Sequence, residues 1–207
     1  MNAQQATPAT GGRRKRMPRA EREQQILEVA EEVFAGDGYQ ATSMDDIAQR
    51  VGLSKPMLYE YFGSKEGLLV ACVGRARREL LEATTAAAAA NPDDPERLLH
   101  DCLLAFFRFG VDHAQAWALL RTESEIPSST VNTELEATRA QQTELTATLL
   151  ASARPDLEAI QLEAFAESII GACERLALWR ERNPEITAED ATRHLMALVS
   201  PSLMPRD

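Results

Sequence analysis

Cysteine, lysine and long apolar runs are scarce in this sequence of 207 residues. The three cysteines, Cys72, Cys102 and Cys173, are odd in number and far apart, so neither a disulfide framework nor a site of closely spaced metal ligands is predicted. No apolar run approaches the roughly 18 residues that a membrane helix needs. The polar first residues also lack the hydrophobic core of a signal peptide. These absences predict a protein of the reducing cytoplasm that makes no membrane contact.

Signatures of common enzyme classes are missing as well. The sequence contains no glycine-rich phosphate loop, no nucleophile elbow and no His-Glu-x-x-His zinc motif. A helical di-iron protein would need Glu-x-x-His pairs, but the spacing of Glu96 and His100 is one residue too long. We therefore predict no catalytic residue, no metal and no cofactor. Two alternatives stay open at this point, an enzyme and an adaptor that binds a protein partner through acidic helices.

The net charge of −10 is distributed unevenly along the chain. Residues 1–78 hold 12 Lys and Arg against 10 Asp and Glu, whereas residues 79–207 hold 10 against 22. All three lysines, Lys15, Lys55 and Lys65, lie in the first part. Such an asymmetry is typical of a protein composed of two units that bind partners of different charge.

Hydrophobic periodicity predicts an all-α fold. In the first predicted helix, apolar residues recur at i, i+3, i+4, i+7 and i+8, which places them on one helical face. Glycine and proline mark the ends of the segments, Pro201 ends the last one, and no alternating strand pattern occurs. The predicted helices run from about 19 to the glycines at 36 and 38, then over about 44–51, 54–62, 64–90, 95–110, 113–122, 129–152, 156–182 and 188–199.

Two short helices joined by a glycine predict a helix-turn-helix. Gly52 can adopt the left-handed backbone conformation of a tight turn, and apolar residues on both sides can hold the helices at a fixed angle. With Ser54 as the N-cap, Pro56 falls in the first turn of the second helix, where its missing N–H has no partner to lose. This helix can therefore enter a major groove with its N-terminus first.

The side chains of this second helix suit contacts with duplex DNA. Lys55 can donate to guanine acceptors and Met57 can touch a thymine methyl group. Tyr59 and Tyr61 can bind phosphates through their hydroxyl groups, and Lys65 can do so at the start of the next helix. The alternative is that the aromatic residues are core and the lysines are only solvated. We favour DNA contact because groove geometry needs these residue types at these positions.

A dense and ordered set of residues runs through the segment 19–69. It consists of Ile26-Leu27-x-x-Ala30, Phe34, Gly38-Tyr39-x-x-Thr42-Ser43, Asp46-Ile47-Ala48, Gly52-Leu53-Ser54, Leu58-Tyr59-x-Tyr61-Phe62 and Lys65-Glu66-x-Leu68-Leu69. This set resembles the DNA-binding domain of the TetR family of bacterial transcriptional regulators. The resemblance covers about a quarter of the chain and is specific to that family.

The resemblance implies a ligand-responsive regulator without enzymatic activity. Most family members repress transcription, bind a palindromic DNA operator as a homodimer, and leave it when a small-molecule effector binds their variable C-terminal domain. Pro56 and Met57 depart from the residues that many members carry, which leaves the operator sequence open. The DNA contacts that the resemblance implies are Thr42, Ser43 and Met44 at the start of the second helix, Lys55, Pro56, Met57, Tyr59 and Tyr61 on the recognition helix, and Lys65 after it.

Three regions are expected along the chain. Residues 1–18 form a flexible basic arm, residues 19–66 form the helix-turn-helix domain, and residues 67–207 form the ligand-binding and dimerisation domain. The basic cluster of the arm is consistent with a disordered tail, a nuclear localisation signal, a minor-groove arm or an undirected phosphate tether.

The last two helices supply a candidate dimer interface. Small residues at a spacing of about four allow two helices to approach closely, and two such helices from each subunit can form a four-helix bundle. The alternative is packing within one chain only. The candidate interface residues are Ala164, Ser168, Gly171, Ala172, Leu176, Trp179, Leu195 and Leu198.

An aromatic cluster near Gly110 supplies a candidate ligand pocket. Polar groups that interrupt the apolar stripe of the helix over 129–152 can orient a ligand in a mostly apolar cavity. Ordinary core packing is the alternative for each of these residues. We expect an apolar or amphipathic ligand, contacted by Phe106, Phe109, Trp117, Thr138, Gln142 and Phe165.

Overall fold

The computed structural model describes residues 17–91, 93–122 and 129–203. These residues form helices joined by short connections and contain no strand, so the predicted all-α fold is confirmed. None of these helices is both long enough and apolar enough to cross a bilayer. Residues 1–16 of the expected basic arm lie outside the described residues. The helices are α1 (Arg19–Asp37), α2 (Met44–Val51), α3 (Lys55–Phe62), α4 (Lys65–Ala88), α5 (Pro95–Asp112), α6 (Ala114–Thr122), α7 (Ser129–Ala153), α8 (Ala159–Glu181) and α9 (Ala188–Leu203).

Helices α1–α3 and the first half of α4 enclose an N-terminal core. Each helix turns one apolar face inward, and burying each large side chain contributes about 1.5–3 kcal/mol. The polar faces of the same helices stay in water, which fixes how each helix is rotated. The largest fully buried side chains of this core are Phe34, Ile26, Ile47, Leu58, Leu68, Leu69 and, from α6, Leu119.

Local backbone chemistry defines the helix-turn-helix. Ser43 and Asp46 form a capping box, in which the N–H of Asp46 donates to Oγ of Ser43 at 3.1 Å and the N–H of Ser43 donates to the Asp46 carboxylate at 3.3 Å. Gly52 adopts φ 76° and ψ 33°, the left-handed conformation that glycine takes without steric cost. The N–H of Leu53 then donates to the carbonyl of Ala48 at 2.9 Å, which closes the end of α2.

The connection between α3 and α4 requires a second glycine. Oγ of Ser64 caps α4 by accepting the N–H of Gly67 at 2.9 Å. A Cβ atom on Gly67 would lie 2.2 Å from the carbonyl oxygen of Phe62, closer than van der Waals contact permits. Glycine at this position therefore allows α3 to end directly against the first turn of α4.

The second half of α4 and helices α5–α9 enclose a C-terminal core. Asp94 caps α5 by accepting the N–H of Arg97 at 3.0 Å, and Pro95 occupies the first turn. Phe106 packs edge-on against Phe107 and against Trp117 of α6, with ring centroids 5.4 and 5.6 Å apart. The buried residues of this core include Leu80, Leu99, Leu103, Phe106, Phe107, Leu150, Leu162, Ala166, Ile169, Cys173, Ala191, Leu195 and Leu203.

Helices α4 and α6 contribute to both cores. Leu69 of α4 lies in the N-terminal core and Leu80 in the C-terminal core. In α6, Leu119 belongs to the N-terminal core, whereas Ala116 and Trp117 belong to the C-terminal one. These two helices therefore connect the two cores through side chains packed in each.

The end of α9 differs from the prediction. The sequence predicts a stop before Pro201, but the helix continues through it to Leu203. A proline inside a helix costs about 3 kcal/mol, because it removes one backbone N–H donor and its ring meets the carbonyl group four residues earlier. Leu203 is buried in the C-terminal core, and burial of a leucine contributes about 1.5–3 kcal/mol, which offsets much of that cost.

Candidate nucleic-acid interface

The outer face of α3 presents four of the side chains that the sequence predicts for DNA contact. Lys55, Pro56, Met57 and Tyr59 are exposed, whereas Leu58 between them is fully buried. Met57 is 36% exposed and Tyr59 is 41% exposed, although both are large and mainly apolar. Because Leu58 fixes the rotation of the helix, these four side chains face solvent together. They form a surface that can meet base edges and phosphates.

Lys55 already has an acidic partner on the neighbouring helix. Its Nζ lies 2.7 Å from Oδ2 of Asp45, and this hydrogen bond raises the pKa of Lys55. Both side chains are largely exposed, so the pair is screened by water and contributes little to stability. A guanine or phosphate acceptor can therefore replace Asp45 at small cost.

Two contacts between a cation and an aromatic ring flank α3. Nζ of Lys65 lies 4.3 Å from the ring centre of Tyr39, and Cζ of Arg19 lies 5.0 Å from that of Tyr61. Lys65 is the first residue of α4, where free backbone N–H groups attract anions. Tyr61 is half-buried, with its ring 6.1 Å from that of Phe62, so packing holds part of this side chain.

The start of α2 holds the other three residues, Thr42, Ser43 and Met44, that the resemblance implies for DNA contact. Thr42 and Met44 are buried, and the hydroxyl of Thr42 donates to the carbonyl of Gly38 at 2.8 Å. The hydroxyl of Ser43 donates to the Asp46 carboxylate at 2.6 Å. These three side chains therefore support the start of α2, and the capping box leaves the backbone N–H groups of Met44 and Asp45 for an incoming phosphate.

Sequence reasoning missed the supporting residues Asp45 and Tyr39. Both lie outside α3 in the chain, and only the folded structure brings them to Lys55 and Lys65. Tyr39 belongs to the set of residues that carries the family resemblance, which was an available signal. The acidic first turn of α2 gave no indication that Asp45 would meet Lys55.

A buried charge cluster lies behind this interface, between α1 and α4. Oε2 of Glu31 lies 3.2 Å from Nη2 of Arg75, whose Nε lies 3.0 Å from Oε1 of Glu79. Removal from water raises the pKa of Glu31 to about 7, although the charge of Arg75 acts in the opposite direction. Oε1 of Glu31 and Nη1 of Arg75 have no hydrogen-bond partner among the described residues. The sequence did not reveal this cluster, because charged residues at helical spacing usually face solvent.

A narrow apolar slot opens between α5, α7 and α8. Its volume is about 60 Å³, and two of the predicted ligand residues, Phe106 and Gln142, line it. Cys102 also lines it, and burial raises the pKa of that thiol to about 11, which leaves little reactive thiolate. The slot is lined by Thr84, Pro95, Leu98, Leu99, Cys102, Leu103, Phe106, Gln142, Leu145, Thr146, Leu149, Leu150, Ala153, Ile169, Ile170 and Cys173.

A second cavity, the arginine chamber, adjoins the slot beneath α6. Its volume is about 220 Å³, and it shares Phe106 and Gln142 with the slot. The predicted ligand residue Trp117 forms part of its wall. The chamber is lined by Arg77, Leu80, Phe106, Trp117, Leu120, Arg121, Arg139, Gln142, Glu174 and Leu178.

A wider opening, the glutamate groove, continues from the chamber between α7 and α8. Its volume is about 590 Å³, and it shares Arg77, Arg139, Gln142 and Glu174 with the chamber. The five glutamates of the groove are all exposed; they are Glu136, Glu144, Glu163, Glu167 and Glu174.

Three of the predicted ligand residues line none of these three cavities. Phe109 is buried in the core and its ring stacks on His113, with centroids 4.6 Å apart. Thr138 is half-buried on α7. Phe165 lies on the outer face of α8 and is 37% exposed. Of the six predicted ligand residues, these cavities therefore bring together Phe106, Trp117 and Gln142.

Glu181 connects α6 to the end of α8. The indole N–H of Trp117 donates to Oε1 of Glu181 at 2.9 Å, and Arg121 forms an ion pair with the other carboxylate oxygen. Trp117 therefore lines the chamber on one side and is anchored to α8 on the other.

The outer face of α8 and α9 carries much of the predicted dimer interface. Ala164, Ser168 and Gly171 are exposed, while Ala172, Leu176 and Trp179 are half-buried. Large apolar side chains also face solvent there, since Leu198 is 71% exposed and Ile160 is 66% exposed. Leu195 differs from the prediction, because the chain itself covers it to 3% exposure in the C-terminal core.

Two family patterns match the chain. Residues 26–72 match the family described as "Bacterial regulatory proteins, tetR family", and residues 95–200 match the family described as "Tetracyclin repressor-like, C-terminal domain". Together these matches cover both the helix-turn-helix and the helices that enclose the three cavities.

Individual relatives agree with this assignment. The chain is 41% identical over 114 residues to the HTH-type transcriptional activator FasR of Mycolicibacterium smegmatis, which covers 55% of this chain and 52% of that protein. The chain thus spans about half the length of curated relatives such as FasR.

Solved structures match over a greater length. A TetR-like transcriptional regulator from Rhodococcus sp. RHA1 is 34% identical, with a TM-score of 0.71 over 92% of this chain and 100% of that one. A TetR/AcrR regulator from Thermobifida fusca is 29% identical, with a TM-score of 0.68 over 90% of this chain and 100% of that one. These proteins are regulators and not enzymes. The chain belongs to the TetR family and is a transcriptional regulator with a DNA-binding helix-turn-helix.

Proposed function

We propose that the protein is a ligand-controlled repressor that binds a palindromic operator as a homodimer in the bacterial cytoplasm. The observation that carries this proposal is the exposed surface of Lys55, Met57 and Tyr59 on α3, a helix whose rotation is fixed by the buried Leu58. Three free cysteines agree with a reducing compartment.

In the proposed complex, the N-terminal end of α3 enters the major groove. Lys55 leaves Asp45 and donates to a guanine, while Met57 touches a neighbouring base. Tyr59 and Lys65 bind the phosphates on either side, and the ring of Tyr39 holds the ammonium group of Lys65 near the start of α4. The first turn of α2, held by Ser43, adds backbone N–H groups to a further phosphate.

Dimerisation is supported by the exposed apolar surface of α8 and α9. Exposed side chains as large as Ile160, Phe165 and Leu198 lose contact with water when a second copy covers them. The small residues Ala164, Ser168 and Gly171 allow the two copies of α8 to approach closely. A two-fold arrangement also presents two copies of α3 to two half-sites.

Effector control is supported by the packing of α4 and α6, because each of these helices contributes side chains to both cores. A ligand in the arginine chamber touches Arg77 of α4 and Trp117 of α6 directly. If it fits only one arrangement of these helices, its binding energy shifts the population toward that arrangement. We propose that this arrangement moves the two copies of α3 out of register with the half-sites.

Selection of bound sequences from a pool of random duplexes tests the proposal. The full chain is expected to enrich an inverted repeat whose half-sites lie one helical turn, about 34–36 Å, apart or a multiple of that distance. A Lys55→Ala/Tyr59→Ala variant should lose at least about tenfold in affinity for that sequence, since it removes one base contact and one phosphate contact. Arg97→Ala, which removes an exposed positive charge from α5, is the matched control and should bind normally.

The direction of regulation needs a separate measurement, because FasR of M. smegmatis is named an activator. We expect a reporter driven from a promoter overlapping the selected sequence to fall when the protein is expressed. A rise in reporter output with unchanged DNA binding would replace repression by activation and leave the DNA-binding role intact. Enrichment of no duplex sequence would contradict the whole proposal.

A further inference from the structure

We propose that the effector is an anionic amphiphile, an alkyl chain with a carboxylate or similar negative group. Its chain fills the apolar slot, and its negative group binds Arg77 and Arg139 in the arginine chamber. This inference rests on the proposed effector-binding role and adds the chemical class of the ligand.

The slot and the chamber adjoin each other, and together they form the path proposed for the ligand, with a different chemical character at each end. Phe106 and Gln142 line both cavities and mark their junction. Half of the residues that line the slot are leucine or isoleucine, whereas the chamber contains Arg77, Arg121 and Arg139 against one glutamate, Glu174. Arg121 is already paired with Glu181, which leaves Arg77 and Arg139 as the cations that face Glu174 and the ligand. The slot has a volume of about 60 Å³, far below the roughly 300 Å³ of an ordinary ligand pocket, so it can take part of a single alkyl chain but not a drug-sized ring system. The ligand that matches this path is linear, with a polar group at one end.

Arg77 determines the sign of the polar group. It is only 6% exposed, although a guanidinium carries a permanent positive charge. Arg77 and Arg139 each have further contacts within the protein, which a ligand would join rather than replace. A buried charge acts through a medium of low dielectric constant, so it attracts an anion more strongly than a charge in water does. A carboxylate also accepts two parallel hydrogen bonds from a guanidinium.

The glutamate groove does not reverse this preference. All five of its glutamates are exposed, so water and salt screen their charges over about 8–10 Å. Glu167 already accepts the hydroxyl of the buried Thr143 at 2.7 Å. A cationic headgroup would have to rest beside the buried Arg77 while gaining only screened attraction from the groove. The groove can instead keep the polar end of the ligand in contact with water.

Fluorescence of Trp117 gives a direct measure of occupancy. Trp117 lines the chamber, and Trp179 is the second of the two tryptophans. A Trp117→Phe variant keeps Trp179 in place, so the change in fluorescence that this variant lacks is the part that comes from Trp117. The probes are sodium decanoate, 1-decanol and decyltrimethylammonium, used below their aggregation concentrations. They share one alkyl chain and differ in the charge of the headgroup. We expect decanoate to bind at least about tenfold more tightly than either of the others, as expected for a charge-assisted hydrogen bond.

Substitutions of the arginines locate the headgroup. Arg77→Gln and Arg139→Gln should each weaken decanoate binding about tenfold while leaving 1-decanol unchanged. Arg78→Gln, which changes the exposed neighbour on α4, is the control and should have no effect. Arg77 is buried, so its variant could fail to fold; Arg77→Lys keeps the charge, and the exposed Arg139 supplies an independent test.

Several results would overturn the inference. They are equal binding of the three probes, tightest binding of decyltrimethylammonium, absence of decanoate binding, and decanoate binding that is insensitive to both arginine substitutions. Decanoate binding that requires the arginines but leaves DNA affinity unchanged would support this inference and contradict the proposed release from the operator.

Discussion

The two parts of the molecule differ in what positions their functional side chains. In the helix-turn-helix, residues close together in the sequence position them, through the Ser43–Asp46 capping box and the left-handed conformation of Gly52. In the C-terminal part, side chains from five different helices meet at the arginine chamber. Interactions within one helix and one turn are visible in a sequence, whereas the meeting of distant helices is not. The comparison therefore separates a part that local rules define from a part that long-range packing defines.

The sharpest test of the C-terminal part, which long-range packing defines, compares two leucines on α9. Leu195 is covered by its own chain and Leu198 is exposed. Leu195→Ala should lower the free energy of unfolding by about 2–5 kcal/mol, because it opens a cavity in the core. Leu198→Ala should instead weaken subunit association and leave the unfolding of the dissociated chain unchanged.

Denaturant unfolding and sedimentation over a range of concentrations measure these two effects. The pair is matched, because both substitutions remove the same atoms from the same helix. An unaltered association constant in Leu198→Ala, or equal loss of stability in both variants, would remove α9 from the proposed dimer interface.

The helix-turn-helix part, which local rules define, is tested at the connection between α3 and α4. Gly67→Ala places a Cβ atom 2.2 Å from the carbonyl oxygen of Phe62, so the backbone has to shift. We expect a loss of about 2–3 kcal/mol in the free energy of unfolding. Gly74→Ala on the same helix meets no atom within 4 Å and should stabilise the protein by about 0.5–1 kcal/mol. Opposite signs in thermal unfolding are expected, and equal signs would show that the connection can adapt.

The charge cluster between α1 and α4 predicts how stability depends on pH. The pKa of Glu31 is about 7 in the folded chain and 4.5 in the unfolded one. The folded chain therefore binds more protons between these pH values, and the free energy of unfolding falls as pH rises through this window. The expected fall is on the order of 2 kcal/mol between pH 5 and pH 8.

Glu31→Gln isolates this contribution. It should flatten the dependence on pH, whereas Glu32→Gln, which changes the exposed neighbour on α1, should retain it. Urea unfolding at a series of pH values measures both. The same slope in the Glu31 variant and the parent would assign the dependence to other groups.

The features predicted correctly from the sequence are those that depend on local interactions, and the errors concern long-range packing. The boundaries of α2 and the turn at Gly52 follow from capping and glycine chemistry, and both are observed. The slot residues Phe106 and Gln142 came from composition and stripe patterns, which also selected the core residue Phe109 and the outward-facing Phe165. Periodicity identifies an apolar face but not the helix that covers it.

The same limit explains the misassigned Leu195. It shares the apolar side of α9 with Leu198, and a helical repeat cannot say where the core of one chain ends. Arg77 was missed for a related reason, since an arginine in a run of charged residues on α4 looks solvated until neighbouring helices cover it. Burial by distant helices decided both cases.

The smallest expected effect is a change in DNA binding that distinguishes a phosphate contact, made by Lys65 of α4, from a base contact, made by Met57 of α3. Lys65→Ala should weaken binding to matched and scrambled duplexes alike and make the salt dependence of log K shallower by about 0.9, because one phosphate contact is lost. Met57→Ala should leave that slope unchanged and alter which bases are preferred. Lys65→Arg, which keeps the charge beside Tyr39, is the control for the first substitution. Salt titrations on both duplexes measure the slopes. A change of sequence preference in Lys65→Ala would mean that α4 contacts bases, and the surface that reads the operator would then extend beyond α3.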